Sequence, residues 1–394
     1  MTLLSGHTLL LWAIVVLLSA SGARVIEAGP EPVVRTIRVP DGGVQPQVAV
    51  DDKEVVHMIY LVGAAGHSDV SYLRSMDGGL SFSRPLRVNS QEGAAIAVGT
   101  VRGAHLAVAK GGRVHVAWMG SDRAEPKAEN KAAPMLYSRL NDARDAFEPQ
   151  RNIIQSHPGL DGGGSVAADH LGNVFVAWHA PEKKDGTERD RRVWLARSTD
   201  EGKTFTPEVA ASPPLIGACG CCGMRLIADG SGNAIALYRS AEKGVNRDMY
   251  LVRSSGDSES FKTTKIHPMK SEICVMSTAS LAQGNGGILA AWETDRQIYL
   301  AMAAPQTLKM TTPIAMPDQS KSRKHPAIAV NAAGQVLVVW AEGTGWSKGG
   351  SVAWQVFEKD GQAIEATAGH ADGLPVWGSP AAFAGTDGSF VVVY

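Results

Sequence analysis

Apolar residues along this chain come in short alternating runs and not in helix-spaced stripes. One class of run ends on an aromatic residue: VVHMIYLVG (55–63), RVHVAWMGS (113–121), NVFVAWHAP (173–181), NAIALYRSA (233–241), GILAAWETD (287–295), QVLVVWAEG (335–343) and SFVVVY (389–394). A strand of small residues precedes these runs, as in PQVAVDD, HLAVAKGG, SVAADHLG, RLIADGSG, PAIAVNAAG and PAAFAGTDG, and a Gly or Asp turn joins the two. A third run follows in most units (VSYLRS, VWLARS, MYLVRS, IYLAMA), and a weaker fourth closes some of them (PLRVN, FKTTKI). We label these strands A to D.

Four antiparallel strands recurring every ~50–60 residues predict an all-β fold, a β-propeller whose blades cover one another and leave only short edges exposed. Small residues suit strand A, because innermost strands crowd around an axis. Aromatics ending strand B are expected between blades, so Trp118, Trp178, Trp292 and Trp340 are assigned to the core and not to a ligand. Seven A–B pairs predict seven blades, with six as the alternative. The last unit stops at Tyr394 without a third strand, while VVRTIRV (33–39) stands unpaired ahead of the first. Placing both in one blade would close the ring and remove its free edges.

Composition narrows the partners. Lys and Arg total 38 against 39 for Asp and Glu, so no overall field exists to draw in nucleic acid, and a glycan or small anionic ligand is the expected partner. Residues 1–23 are read as a signal peptide, with an apolar run from Leu9 to Leu18 followed by small residues, although only His7 and the terminal amine supply charge ahead of it. The expected location is secreted or periplasmic, with no stable membrane span after processing and the propeller occupying residues 33–394.

The loop after strand C carries a fixed order of residues, seen in Ser198-Thr199-Asp200-Glu201-Gly202-Lys203-Thr204-Phe205 and again in Ser75-Met76-Asp77-Gly78-Gly79-Leu80-Ser81-Phe82. Its aspartate can accept hydrogen bonds from the amides of its own turn, its glycine supplies the turn conformation, and its phenylalanine tucks into the sheet. This order resembles the Asp box of the sialidase superfamily, the bacterial neuraminidase repeat; SSGDSESF at Ser254 and LNDARDAF at Leu140 are eroded copies. The resemblance, taken with the blade pattern, covers roughly residues 33–394 and implies the propeller fold, with glycoside hydrolysis as the activity to be tested.

Sialidases of the family have six blades, three arginines that hold the substrate carboxylate, and a tyrosine nucleophile. Here Gln45-Pro46-Gln47 stands where the motif of the first arginine would lie, and no tyrosine opens a late inner strand. The resemblance therefore implies the architecture more strongly than the sialidase reaction.

Candidate chemistry gathers on the face where strands A begin and the B-to-C loops lie. Cys219, Cys221 and Cys222 sit in ACGCCGM ahead of strand A of the fourth unit, and Cys274 occupies the equivalent place in the fifth. Three outcomes are open: disulfides, as export would favour; a soft metal such as copper or zinc, with Met224, Met276 or His325 nearby; or inert thiols. Arg239 and Arg247 flank the same B-to-C loop and could clamp an anion, with Asp248 orienting one of them. Glu293 and Glu342 stand just beyond two successive B strands. Arg239, Arg247, Asp248, Glu293 and His325 are thus the expected ligand-binding residues. The leading expectation is an exported sialidase-like propeller that takes a glycan or other anionic ligand; the alternative is a non-enzymatic propeller, for metal binding or protein interaction, built around the cysteines.

Overall fold

A computed structural model describes residues 33–394 except 128–131, 157–159, 161, 184–185 and 259; the expected signal segment lies outside the described residues. In blades 1 to 6 strand B is the longest apolar run of the unit and pairs antiparallel with A on one side and C on the other, and each unit forms a separate sheet. Seven such sheets form the propeller. Blade 1 comprises Val44–Val50, Val56–Ala64, His67–Ser75 and Leu86–Arg87, from the axis outward, and blade 2 comprises His105–Ala109, Arg113–Met119, Met135–Arg139 and Arg151–Asn152. Blade 3 comprises Gly164–Ala168, Val174–Pro181, Arg191–Ser198 and Val209–Ala210, and blade 4 comprises Arg225–Ala228, Ala234–Arg239, Met249–Ser254 and Phe261–His267. Blade 5 is Ser280–Gly284, Gly287–Thr294, Gln297–Ala303 and Ile314–Ala315, and blade 6 is Arg323–Val330, Val336–Glu342, Gly350–Phe357 and Gly369–Leu374.

Blade 7 has three strands drawn from both ends of the propeller: Ala381–Ala384 inside, Phe390–Val393 next, and Val34–Ile37 outermost. Val34–Ile37 runs parallel to Phe390–Val393, in the register Val34 to Phe390 and Ile37 to Val393. Arg38 fastens this seam from outside, donating to the Asp372 and Gly373 carbonyls of blade 6 at 2.6 Å each while its guanidinium lies 4.1 Å from the centre of the Tyr394 ring. The expected union of the two ends is therefore observed, with seven blades and not six.

The aromatics ending strand B are core residues. Tyr60, Trp118, Trp178, Tyr238 and Trp292 are all fully buried, and the apolar clusters they belong to join successive blades. One cluster, for example, links Ala177 and Val193 of blade 3 to Leu226 and Tyr238 of blade 4. Burial between blades, at ~25 cal/mol per Å² of apolar surface, is the main favourable term that holds the ring together.

The serine–aspartate loops act locally, on the face opposite the starts of strands A. In blade 3, Asp200 accepts from the Ser198 hydroxyl at 2.7 Å, the Thr204 amide at 2.9 Å and the Thr204 hydroxyl at 2.6 Å, while Gly202 N–H donates to Ser198 Oγ at 2.8 Å. Partial burial works against the Asp200 carboxylate, but these bonds outweigh it and bring its pKa down to about 2. Blade 1 repeats the geometry at Asp77 with Ser75 and Ser81.

Asp200→Ala should destabilise the propeller by about 1–3 kcal/mol, the cost of charge-assisted turn bonds, without changing the chemistry of the opposite face. The folded pKa lies below the unfolded one, so this contribution is complete above about pH 4 and is lost as the pH falls toward 2. Urea titrations of both proteins at pH 7 and pH 2.5 should therefore show a gap that narrows in acid.

Candidate functional site

Cys219 and Cys222 are held in a tight turn, with the Cys222 amide donating to the Cys219 carbonyl at 3.0 Å. That turn is pinned at both ends: the Cys219 amide donates to the Arg239 carbonyl at 2.9 Å, and the Gly223 amide to the Ser277 carbonyl of the neighbouring blade at 2.9 Å. Glycine is needed next to it. A Cβ on Gly162, whose φ is 116°, would lie 2.6 Å from the Gly220 carbonyl oxygen, so blade 3 could not pack here with a larger residue.

The turn brings three sulfurs together. Cys219 Sγ lies 2.8 Å from Cys222 Sγ and 3.4 Å from Cys221 Sγ, and the three sulfurs lie within 4.8 Å of one another. Cys274, on blade 5, stands outside this trio but close enough for its thiol to act on that of Cys221. All four are free thiols. Cys219 and Cys222 are buried, Cys221 is half-buried and Cys274 is exposed, so the cluster runs from the interior to the surface. Met269 and Val275 pack against it. Met224, one of the expected soft neighbours, instead belongs to the apolar layer between blades 3 and 4, and Met269 is the thioether beside the cysteines.

A single proton balance governs the trio. Burial raises the Cys222 thiol, but hydrogen bonds from the Cys219 and Cys221 thiols and the Arg239 charge more than reverse this and push its pKa well below the usual thiol range. On Cys219 the hydrogen bonds with Cys221 and Cys222, together with burial, act the other way and raise the thiol pKa. Of the three, Cys222 is the thiol that gives up its proton most readily.

Arg239 supplies the countercharge from beneath. It is 3% exposed and donates to the Arg247 carbonyl at 2.8 Å, to Met269 Sδ at 3.0 Å, to the Glu293 carbonyl, and to Glu293 Oε2 at 3.3 Å. Burial pushes the Glu293 carboxyl up to about 6 despite the Arg239 charge, with the Cys222 sulfur adding to the rise. Arg247 stands beside them: burial works against its charge, but its pairing with Glu188 of the blade 3 loop at 2.9 Å outweighs that and raises its pKa.

Of the residues expected to bind ligand, Arg239, Glu293 and Arg247 thus surround the cysteines, and each already has a protein partner. His325 joins them electrostatically. Burial pushes its imidazole down to about 3, the Cys222 charge opposing this, and its Nδ1 accepts from the Thr278 amide at 3.3 Å. Asp248 is turned elsewhere: its carboxylate takes the Met269 amide at 2.8 Å and the Lys265 ammonium at 2.7 Å, and does not orient Arg247. Glu342, at the end of strand B one blade on, also has an arginine partner, but one from its own blade: it accepts from Arg323 Nε at 3.0 Å and from Trp340 Nε1 at 2.9 Å. Sequence reading missed Glu188, Lys265 and Met269. All three come from loops or outer strands whose polar residues carry no pattern marking them as partners of an inner strand.

Arg239→Met should cost about 3–5 kcal/mol at pH 7.5, because Glu293 is then a buried carboxylate without a countercharge. Protonation relieves that penalty. Beside arginine the carboxyl titrates at about 6, and without it higher, so the loss should shrink as the pH falls through the variant's higher pKa and level off below about 6, where Glu293 is protonated in both proteins; denaturation at pH 7.5 and pH 5 would reveal this.

No family model and no curated protein matches the chain. Solved structures do match. A Dyadobacter fermentans protein described as being of unknown function is 13% identical over 82% of this chain and 92% of its own, with a TM-score of 0.50. The NanB sialidase from Streptococcus pneumoniae matches at 10% identity over 77% of this chain and 66% of its own, with a TM-score of 0.52, and a second NanB structure matches at 10% identity over 80% and 68%, with a TM-score of 0.56. The chain spans about two thirds of the length of the sialidase. At these identities the likeness is one of fold: this chain is a seven-bladed β-propeller whose fold is similar to that of the sialidase.

Proposed function

We propose that this is an exported propeller, carrying Asp-box loops on one face, whose other face binds a soft metal ion, copper(I) or zinc, through Cys219, Cys221 and Cys222. The observation that carries this reading is the approach of three sulfurs to within 4.8 Å of one another. Thiolates are the ligands that select copper(I) and zinc over harder ions. The surroundings suit such an ion in charge: three thiolates would be strongly anionic, and Arg239 and Arg247 stand where they can offset that charge without competing as ligands. In this reading the exposed Cys274 would supply a fourth sulfur for zinc, or receive and pass on copper(I).

A glycan is the second reading, favoured by a different feature of the same face. Trp346 is 54% exposed and meets Trp377 edge to face, with ring centres 6.5 Å apart, beside Lys324 and His325. Exposed aromatic surface of this kind can cover the apolar face of a sugar ring. The sialidase reaction itself is not part of the proposal. Tyr238 is fully buried and stacks on Tyr250, so it offers no nucleophile to this face.

Purified under reducing, anaerobic conditions and titrated with copper(I) or zinc, the protein should take up about one equivalent of at least one of these ions, and Cys222→Ser should abolish that uptake while the fold, followed by circular dichroism, persists. Full retention of metal by Cys222→Ser, or no uptake by the reduced wild type, would remove the metal reading. A sialoside reporter should show no turnover above the uncatalysed rate; release that disappears in Tyr238→Phe would restore the hydrolase reading.

A further inference from the structure

The propeller axis holds a cavity of about 390 Å³ on the side where strands A begin. Its wall is polar, with Thr278, Ser280 and Ser379 among small residues, and Arg225 is its only charged lining residue. Arg225 opens strand A of blade 4 and also lines the second axial cavity, of about 480 Å³, on the far side, so it stands at the junction of the two. The carboxylates of that second cavity do not reach it. Asp51 is occupied by the Lys53 and Val55 amides and by His57, Asp169 by the Leu171 and Asn173 amides, and Asp52 is exposed on the rim.

The Arg225 guanidinium has only neutral partners. Nη1 donates to Gln47 Oε1 of blade 1 and lies 3.4 Å from His105 Nδ1 of blade 2. Nε has no partner, and Nη2 makes no hydrogen bond among the described residues. Burial, with no carboxylate to oppose it, lowers the Arg225 pKa to about 10.

Hydrogen bonding also fixes what the two neighbours present. Arg225 Nη1, which can only donate, lies 3.4 Å from His105 Nδ1, and Ser165 Oγ already accepts from the Leu226 amide at 3.0 Å, so the Ser165 hydroxyl donates to His105 Nδ1, 2.9 Å away. Nδ1 is thus an acceptor, and the proton of the neutral imidazole sits on Nε2. Burial keeps the ring neutral, its pKa lowered to about 3. Gln47 uses its carbonyl oxygen on Arg225, which leaves its amide Nε2 as a donor. Neither Nε2 atom has a hydrogen-bond partner among the described residues, and both side chains line the cavity. Three strands from three blades therefore turn donors toward one polar space, and no carboxylate is there to receive them.

We propose that this axial cavity is an anion site, in which a small oxyanion, a carboxylate, sulfate or phosphate, is held by Arg225 Nη2, with Gln47 Nε2 and His105 Nε2 as neutral donors. A forked guanidinium recognises such groups, and a low-dielectric cavity with a single cation favours an anion over a neutral molecule of the same size. The site uses no cysteine and stands or falls independently of the metal reading.

Isothermal titration at constant ionic strength, with sodium glucuronate, sodium sulfate and inorganic phosphate as probes and glucose as the neutral control, tests this directly. At least one anion should bind with one-to-one stoichiometry and glucose should not. Glucuronate alone would place the ligand among organic carboxylates, and sulfate or phosphate alone among inorganic or esterified anions. Arg225→Gln should weaken binding by at least about tenfold, the loss of one charged contact. Because that variant could fold poorly, Gln47→Glu provides a second reading: a carboxylate beside Arg225 should raise the melting temperature of the free protein and abolish the anion heat. No binding by any anion, or binding that survives Gln47→Glu unchanged, would overturn the proposal.

Discussion

The closing of seven sheets around one axis is the constraint on which the rest of this structure depends. Innermost strands from all blades must converge, so they carry small residues, and the loops that lead into them are forced into contact with one another. The cysteine turn is a product of that crowding: its amides are anchored on blade 4 at one end and on blade 5 at the other, and Gly162 of blade 3 packs against its backbone. The same convergence sets Gln47, His105 and Arg225 around one cavity although they lie in three different blades. Ring closure through Val34–Ile37 and Phe390–Val393 keeps that geometry fixed, since an open seam would let the blades splay.

Backbone strain accompanies the convergence and aims side chains. Gln45, Thr100, Met276, His325 and Trp377, each at or just before a strand A, all have φ between 52° and 62°. Such a left-handed kink is unfavourable for non-glycine residues and persists where the surroundings over-determine it. In blades 1 and 6 it coincides with a bulge, between Val44 and Gln47 and between Lys324 and Ala327. The kinks reset the strand so that the residues after them line the axis, while the kinked residue is held by its neighbours: Gln45, for example, donates to the Ala97 and Trp377 carbonyls at 2.6 and 3.0 Å.

Much of this fold was legible in the sequence because its signals are local. Aromatic-ended runs mark strand B, Gly and Asp turns mark the A–B hairpins, and a lone strand at 33–39 facing an incomplete last unit identifies the blade that closes the ring. The cysteine cluster was legible for a related reason, since three of its members share one turn. Partnerships between blades were not. Asp248 follows Arg247 directly in the chain, yet alternation along the backbone sends the two side chains to different partners, Lys265 and Glu188. Arg225, Gln47 and His105 look like ordinary polar residues at strand openings, and only closure of the ring brings them together. Arg239 and Glu293 were expected at the site, but their mutual burial, which turns them from a ligand clamp into a support for the thiols, depends on packing that no local pattern encodes.

We propose that Cys219, Cys221 and Cys222 act together on one soft ion. X-ray absorption at the edge of the bound metal tests it most directly, because it counts sulfur neighbours without reference to activity. A first shell of three or four sulfurs is expected, at about 2.3 Å when the ion is zinc. A first shell made of nitrogen and oxygen alone would contradict it.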